Sequence, residues 1–280
     1  MIEPGSESAL PGGQLDIWLA ISAHVADHRQ DAAYEAMLDT GELDHYHSLQ
    51  YPEHRFDYLL SRALLRTVLS CYTGLAPEAH RFTRNEFGKP QLDPTQLPEG
   101  VLLPQFNLSL TDGVAVCAIN RSAPLGIDVE YHGDGRSMVE VADQYFSSIE
   151  TAELKRLPAA SQRAGFFRYW TLKESLIKAR GEGLSVPLDS FSFRVATGVQ
   201  ANTQTAKLVS MAEGFLPSAE QWDFRYFDLG EDYTVAVSMG EPIDHICLRE
   251  TIPLVGCVDV QSTSDLFSHA HEDALYAAFC

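Results

Sequence analysis

Three carboxylates and two lysines carry the chemistry in this sequence. In Leu125 to Glu130, period-2 geometry sends Asp128 and Glu130 to one face of a strand, about 7 Å apart, while Ile127 and Val129 face the core. In Trp170-Thr171-Leu172-Lys173-Glu174-Ser175-Leu176-Ile177-Lys178, a helical reading sets Glu174 between Phe167 and Trp170, with Lys178 one turn on. An ionised carboxylate among large apolar side chains is costly without a cation, metal or donor. A plain Glu174 to Lys178 surface pair is the alternative, worth only ~0.2–0.5 kcal/mol. Together, Asp128, Glu130 and Glu174 supply hard oxygen ligands suited to Mg²⁺, an ion that keeps positions open for water and phosphate oxygens.

The elements that must position these groups follow from local pattern. Val114 to Ile119 is a strand, and the turn residues Asn120 to Pro124 predict that Leu125 to Glu130 pairs back on it as a hairpin. Helices are expected at Ser137 to Tyr145, Ser148 to Leu157 and Gln162 to Arg180, then strands at Ser190 to Val195, Trp222 to Leu229 and Tyr233 to Met239, with a turn at Gly230 to Asp232. Upstream, Leu15 to Ser22 reads as a strand, and Asp31 to Leu38 and His54 to Tyr72 as helices, the latter with a buried stripe at Leu59, Leu60, Ala63, Leu64 and Val68.

Gly126-Ile127-Asp128-Val129-Glu130, the helix motif ending at Lys178, and Gly181-Glu182-Gly183-Leu184-Ser185-Val186-Pro187-Leu188 together resemble the 4′-phosphopantetheinyl transferase superfamily, in its larger pseudo-dimeric group of surfactin-synthetase-activator and enterobactin type. The resemblance runs over residues 14 to 240. It implies an α+β fold of two similar halves, a pseudo-twofold monomer with the active site at their junction. It further implies a holo-[acyl-carrier-protein] synthase type enzyme that moves phosphopantetheine from coenzyme A to a serine of an apo acyl or peptidyl carrier protein, needs Mg²⁺ and releases adenosine 3′,5′-bisphosphate. On this likeness Asp128, Glu130 and Glu174 hold the metal, Glu174 takes the serine proton directly or through water, and Lys173 and Lys178 neutralise phosphate charge. Glu130 and Lys178 join Glu174 as catalytic candidates, and Glu150 matches a glutamate that assists proton transfer in relatives.

Arg84-Asn85-Glu86-Phe87-Gly88-Lys89-Pro90 resembles the family's Gly-Lys-Pro segment, with Gly88 and Pro90 at the adenine end and Arg84 and Lys89 on phosphates. Phe106-Asn107-Leu108-Ser109-Leu110-Thr111 resembles a signature in which relatives carry histidine at the place of Leu110, on the 3′-phosphate of coenzyme A. Ser109 and Thr111 remain as hydroxyl donors. Arg55 and Arg62 near one helix face, with Arg66 a turn beyond, offer compensating charge. A non-catalytic coenzyme A or carrier-protein binding module is the alternative function, motivated by Leu110 and by His45 and His47 standing where relatives show lysine or arginine.

A net charge of −19 over 280 residues excludes a general nucleic-acid binder. Docking of an acidic carrier is therefore expected to use apolar contacts and local arginines, around Tyr131 to Ser137 with Arg136. The sequence has no apolar window of membrane-spanning length, and Met1 to Gly13 reads as a disordered lead-in, not a signal peptide. Five scattered cysteines suit reduced thiols in a cytoplasm. The His45/His47 and His269/His271 pairs lack cysteines at zinc-ligand spacing. The expected division is a lead-in at 1–13, an N-terminal half at 14–122, a C-terminal half at 123–240 and an extension at 241–280. In the extension, Ile252 to Val260 is expected as a strand and Asp265 to Phe279 as an amphipathic helix.

Overall fold

Period-2 apolar runs and two long helical stretches give a mixed α+β architecture, seen in a computed structural model that describes residues 10–98, 102–133, 138–183, 186–195, 203–212, 215–216, 219–268, 271 and 275. The first part runs β1 (Gln14–Ile21), α1 (Ser22–Val25), α2 (Asp31–Glu35), α3 (Thr40–Ser48), α4 (Pro52–Thr73), a small hairpin of β2 (Phe82–Arg84) and β3 (Pro90–Leu92), then β4 (Gln105–Thr111) and β5 (Val114–Asn120). The second runs β6 (Leu125–Tyr131), α5 (Met138–Tyr145), α6 (Ser148–Arg156), α7 (Ala159–Arg180), β7 (Phe191–Val195), β8 (Gln204–Met211), β9 (Asp223–Leu229) and β10 (Tyr233–Met239). Finally come β11 (His245–Ile252) and β12 (Gly256–Asp259).

Two five-stranded sheets result, ordered β12-β11-β1-β5-β4 and β6-β10-β9-β8-β7. The expected hairpin between β5 and β6 does not form. Both edges of β5 are taken, by β1 and β4, so the chain crosses over and β6 opens the second sheet, antiparallel to β10. The segment after Gly240 returns to the first sheet. A strand not foreseen, His245–Ile252, runs parallel to β1, and the expected Ile252 to Val260 strand is present as β12 over the shorter Gly256–Asp259, because Pro253, with no N–H to give, and Leu254 at φ +66° make the turn that precedes it. Most of the expected Asp265 to Phe279 helix lies outside the described residues, although Leu266 and Leu275 are buried. Leu10 is also buried, against the first core, while residues 1–9 lie outside the described set.

The layers run α4, first sheet, second sheet, α7. Trp18 and Cys117 meet Leu60, Leu64 and Val68 of α4. Leu15, Ile17, Leu19 and Val116 meet Ile127, Val129, Val235 and Val237 between the sheets. Leu172 and Leu176 of α7 share a third core with Phe193, Phe224 and Tyr226. Both long helices stop at a glycine in the left-handed region, Gly74 at φ +70° and Gly181 at φ +74°, where a side chain would be strained. Pro52 opens α4 at the first turn, where its missing N–H has no helical partner to lose.

Candidate active site

Gly126 decides how close α7 comes to β6. A Cβ there would overlap the Ser175 carbonyl oxygen and the Ala179 backbone nitrogen, so only glycine lets the helix lie this near the strand. The close approach brings the Asp128 and Glu130 side chains against α7. Lys178 Nζ donates to Asp128 Oδ1 at 2.6 Å and to Ser109 Oγ at 2.8 Å, and Ser109 Oγ donates to the same Asp128 oxygen at 2.9 Å. Trp170 Nε1 donates to Glu130 Oε1 at 3.2 Å. Glu174 lies between Trp170 and Lys178 in sequence, and its side chain makes no hydrogen bond or ion pair among the described residues. Lys178 therefore pairs across to the strand, not with its i,i+4 neighbour.

Burial raises all three carboxyls, and neighbouring carboxylate charge adds to it at Glu130 and Glu174. Glu130 is pushed up to about 7 by burial and by the Asp128 and Glu174 charges, against the Trp170 N–H and Lys178. Glu174 is raised by burial and by Asp128, with Lys178 opposing. Burial likewise raises Asp128, while Lys178, Ser109 and the Val129 N–H pull it back. Asp128 Oδ2 is buried without a hydrogen-bond partner among the described residues. Beside this group opens a cavity of about 330 Å³, lined by Glu174, Lys178, Ile177, Asn107, Leu108, Phe87, Gly88, Lys89, Pro90, Gly181 and Gly183, so both parts of the chain form its walls.

Among the described residues no three His, Cys, Asp or Glu side chains stand at metal-enclosing separation. The donor chemistry nonetheless fits Mg²⁺. One buried carboxylate oxygen is unpartnered, and Asp128 and Glu174 repel each other's charge and that of Glu130, so a hard cation would relieve the repulsion.

Several expected contacts fall elsewhere. Lys173 does not reach the cavity: it is fully buried, bonded to Glu150 Oε2 at 2.8 Å and to the Leu188 and Phe191 carbonyls, both at 2.6 Å. Five residues of helix turn it about 140° from Lys178, onto the α6 side. Glu150 is correspondingly sealed in a capping box with Ser147 and accepts from the Phe193 N–H, which removes it from proton transfer. Lys89 lines the cavity, but its ammonium donates to the Leu125 and Ala179 carbonyls at 2.9 and 3.1 Å, tying β6 to the end of α7. Burial lowers it to about 8. Gly88, at φ +90°, and Pro90 do line the cavity.

Thr111 is spent on backbone, and Ser109 divides its hydroxyl between backbone and the Asp128–Lys178 pair. Asn107 Oδ1, Ser109 Oγ and Thr111 Oγ1 accept from the N–H groups of Ile127, Val129 and Tyr131 at 2.9, 3.3 and 3.1 Å. Leu110, pointing the other way, is exposed. Arg55 donates to the Leu49 carbonyl, Arg62 stacks over Tyr58 with Glu42 4.0 Å away, and Arg84 is exposed and donates to the Gly88 carbonyl; none lines this cavity. Arg66 is buried on Glu42 and the His80 carbonyl. Arg136, Leu184, Ser185 and His269 lie outside the described residues. Residue-by-residue reading missed the roles of Trp170, Gly126 and Asn107. The alternation Asn107, Ser109, Thr111 along one strand face was the available signal for the last.

A family model for the 4′-phosphopantetheinyl transferase superfamily matches residues 124–238, the stretch from β6 to β10. The chain is 34% identical over 184 residues to the 4′-phosphopantetheinyl transferase HetI of Nostoc sp., covering 66% of this chain and 75% of that protein. A 4′-phosphopantetheinyl transferase of Bacillus subtilis is 33% identical over 184 residues, covering 66% and 74%. An L-aminoadipate-semialdehyde dehydrogenase-phosphopantetheinyl transferase of Xenopus laevis is 28% identical over 227 residues, covering 79% and 72%. With these relatives aligned over most of their own length, the chain belongs to the 4′-phosphopantetheinyl transferase superfamily.

Proposed function

We propose that this protein moves the 4′-phosphopantetheine arm of coenzyme A onto a serine of an apo acyl or peptidyl carrier protein, as a Mg²⁺-dependent monomer in the cytoplasm. The supporting observation is the Lys178–Asp128 pair, 2.6 Å apart, with Asp128 Oδ2 left over and Glu130 and Glu174 adjoining, at the edge of a cavity walled by both parts of the chain. Transfer of a phosphoryl-type group needs positioning and charge neutralisation more than covalent help. Asp128, Glu130 and Glu174 would hold the ion, which when bound supplies Lewis-acid neutralisation of the diphosphate. Lys178, with its side chain 29% exposed, still has one N–H beyond its two bonds to offer a phosphate oxygen.

The carrier serine oxygen forms a bond to the phosphorus bearing pantetheine, and the bond from that phosphorus to the adenosine bisphosphate oxygen breaks. Glu174, facing the cavity without a side-chain partner among the described residues, takes the hydroxyl proton directly or through a water. Gly88, Pro90 and Asn107 form the wall against which the nucleotide lies. The test is the intact mass of an apo carrier protein after incubation with the enzyme, coenzyme A and Mg²⁺. A chelator-sensitive gain of one phosphopantetheine is expected. Coenzyme A binding with no gain on acyl or peptidyl carriers would instead identify a non-catalytic binding module.

A further inference from the structure

β6 is the edge strand of the second sheet. Antiparallel pairing to β10 uses the backbone groups on one side, and the N–H groups of Ile127, Val129 and Tyr131 point the other way. Unpaired and buried, each would cost free energy comparable to a lost hydrogen bond. Among the described residues, no strand of the first sheet ladders onto this edge through its backbone. Instead β4, the edge of the first sheet, offers a stripe of three side chains at period 2, each accepting one of these N–H groups, with a constant offset of twenty residues. The two sheets are sutured edge to edge by side chains.

The middle stitch differs from its neighbours. Among the described residues the Asn107 and Thr111 side chains bond only the β6 backbone, whereas Ser109 Oγ also donates to Asp128 Oδ1 and accepts from Lys178 Nζ. Its hydroxyl thereby uses its one donor and both acceptor sites. With one Asp128 oxygen held by Ser109 and Lys178, the other, Oδ2, is the oxygen left without a partner.

We propose that Ser109 is a positioning residue of the transfer centre. It is contributed by the first sheet, and it fixes the rotamer of Asp128 and the reach of Lys178 so that Asp128 presents its free oxygen to the metal. Its hydroxyl does not bind coenzyme A. This assignment rests on the Mg²⁺-carboxylate reading above. It makes the metal centre incomplete without the first sheet, although all three carboxylates come from the second part of the chain.

The test is Mn²⁺ affinity, read by electron paramagnetic resonance on the full-length protein without substrates, together with steady-state kinetics. Ser109→Ala should weaken Mn²⁺ binding about 10-fold, the lower end for loss of a group that orients a metal ligand. It should lower kcat while leaving the KM for coenzyme A unchanged. Ser109→Thr, which keeps the hydroxyl, should restore both. Thr111→Val removes the same kind of backbone stitch one pair further along and should change Mn²⁺ affinity less than 2-fold. Unchanged Mn²⁺ affinity with a raised KM in Ser109→Ala would make the serine a substrate contact and overturn the proposal. Equal losses in Ser109→Ala and Thr111→Val would reduce it to a structural stitch, with the same result. Asp128→Ala separates the two levels: wild-type Mn²⁺ affinity there sinks the metal reading and the proposal with it, whereas loss there with no effect of Ser109→Ala sinks the proposal alone.

Discussion

Lys173 and Lys178 stand five residues apart on the same helix, and each meets a carboxylate from another element. At Lys173 all three ammonium hydrogens are engaged, by Glu150 and two carbonyls, while Glu150 spends its second oxygen on the Phe193 N–H and both side chains are sealed from solvent. At Lys178 two hydrogens are engaged among the described residues, the side chain is partly open, and its carboxylate keeps a buried oxygen with no partner among them. A saturated pair can only hold elements together. A pair with leftover donors and acceptors is poised to take up a ligand, and the unmet valence, more than the charge, distinguishes the site from the scaffold.

Two substitutions should break the comparison in opposite ways. Asp128→Ala removes the open pair's carboxylate, and transfer should fall by a factor on the order of 10³ while the thermal melt stays cooperative, since the freed Lys178 can reach water. Lys173→Ala leaves Glu150 charged and buried, and should destabilise by about 3–5 kcal/mol in denaturant unfolding, with near-normal turnover per folded molecule. Wild-type turnover in the first, or an unchanged melt in the second, would erase the distinction between the pairs.

Gly126→Ala is the next largest. It drives a methyl group into the backbone of α7 opposite Ser175 and Ala179, at the Lys178 end of the helix. Overpacking of this kind costs about 1–3 kcal/mol, and the displaced Lys178 should lower kcat more than the melt alone explains. An activity loss no larger than the unfolded fraction would mean that the spacing of β6 and α7 is not critical to the reaction.

Much of this was legible in the chain. β6 and α7 were readable because their periodicities put Asp128 with Glu130 and Glu174 near Lys178, and local geometry alone fixes those faces. The position of Lys173 was also contained in helix geometry, about 140° from Lys178, but its motif neighbours drew it toward the phosphates. What the sequence did not disclose was tertiary pairing. Asn120 to Pro124 suits a hairpin and a crossover equally, and the choice is made by β10, whose Tyr233–Met239 lies far downstream. α3 was missed although Asp39 and Glu42 form a capping box, because only Glu42 of that helix is buried and its apolar pattern is faint.

A smaller effect sharpens the comparison through pH. The raised Glu130 carboxyl favours its protonated form in the folded, metal-free protein, so its contribution to stability is intact below the unfolded value near 4.3 and is lost as pH rises through about 7. Between pH 5 and 8 the metal-free protein should lose on the order of 2 kcal/mol relative to Glu130→Gln. Mg²⁺ affinity should move the other way, rising up to about 10-fold per unit below pH 7 and levelling above 8, since the ion needs the charged form. Calorimetric titration across that range checks both signs, and a flat affinity profile would take Glu130 out of the metal's ligand set.

The smallest effect concerns Leu110, next to the Ser109 stitch but on the opposite side of β4, where its own side chain is exposed. An exposed leucine there contributes little to the core, so Leu110→His should leave the melt within about 0.5 kcal/mol. If this face meets the 3′-phosphate of coenzyme A, an imidazole should lower the KM for coenzyme A about 3-fold at pH 7. The gain should grow below pH ~6.5 as the ring becomes charged, with no comparable gain for 3′-dephospho-coenzyme A. Equal effects on the two substrates would remove the 3′-phosphate from this face. A selective gain would show β4 serving two purposes at once, its Ser109 side orienting the carboxylates of the second sheet and its Leu110 position meeting the nucleotide.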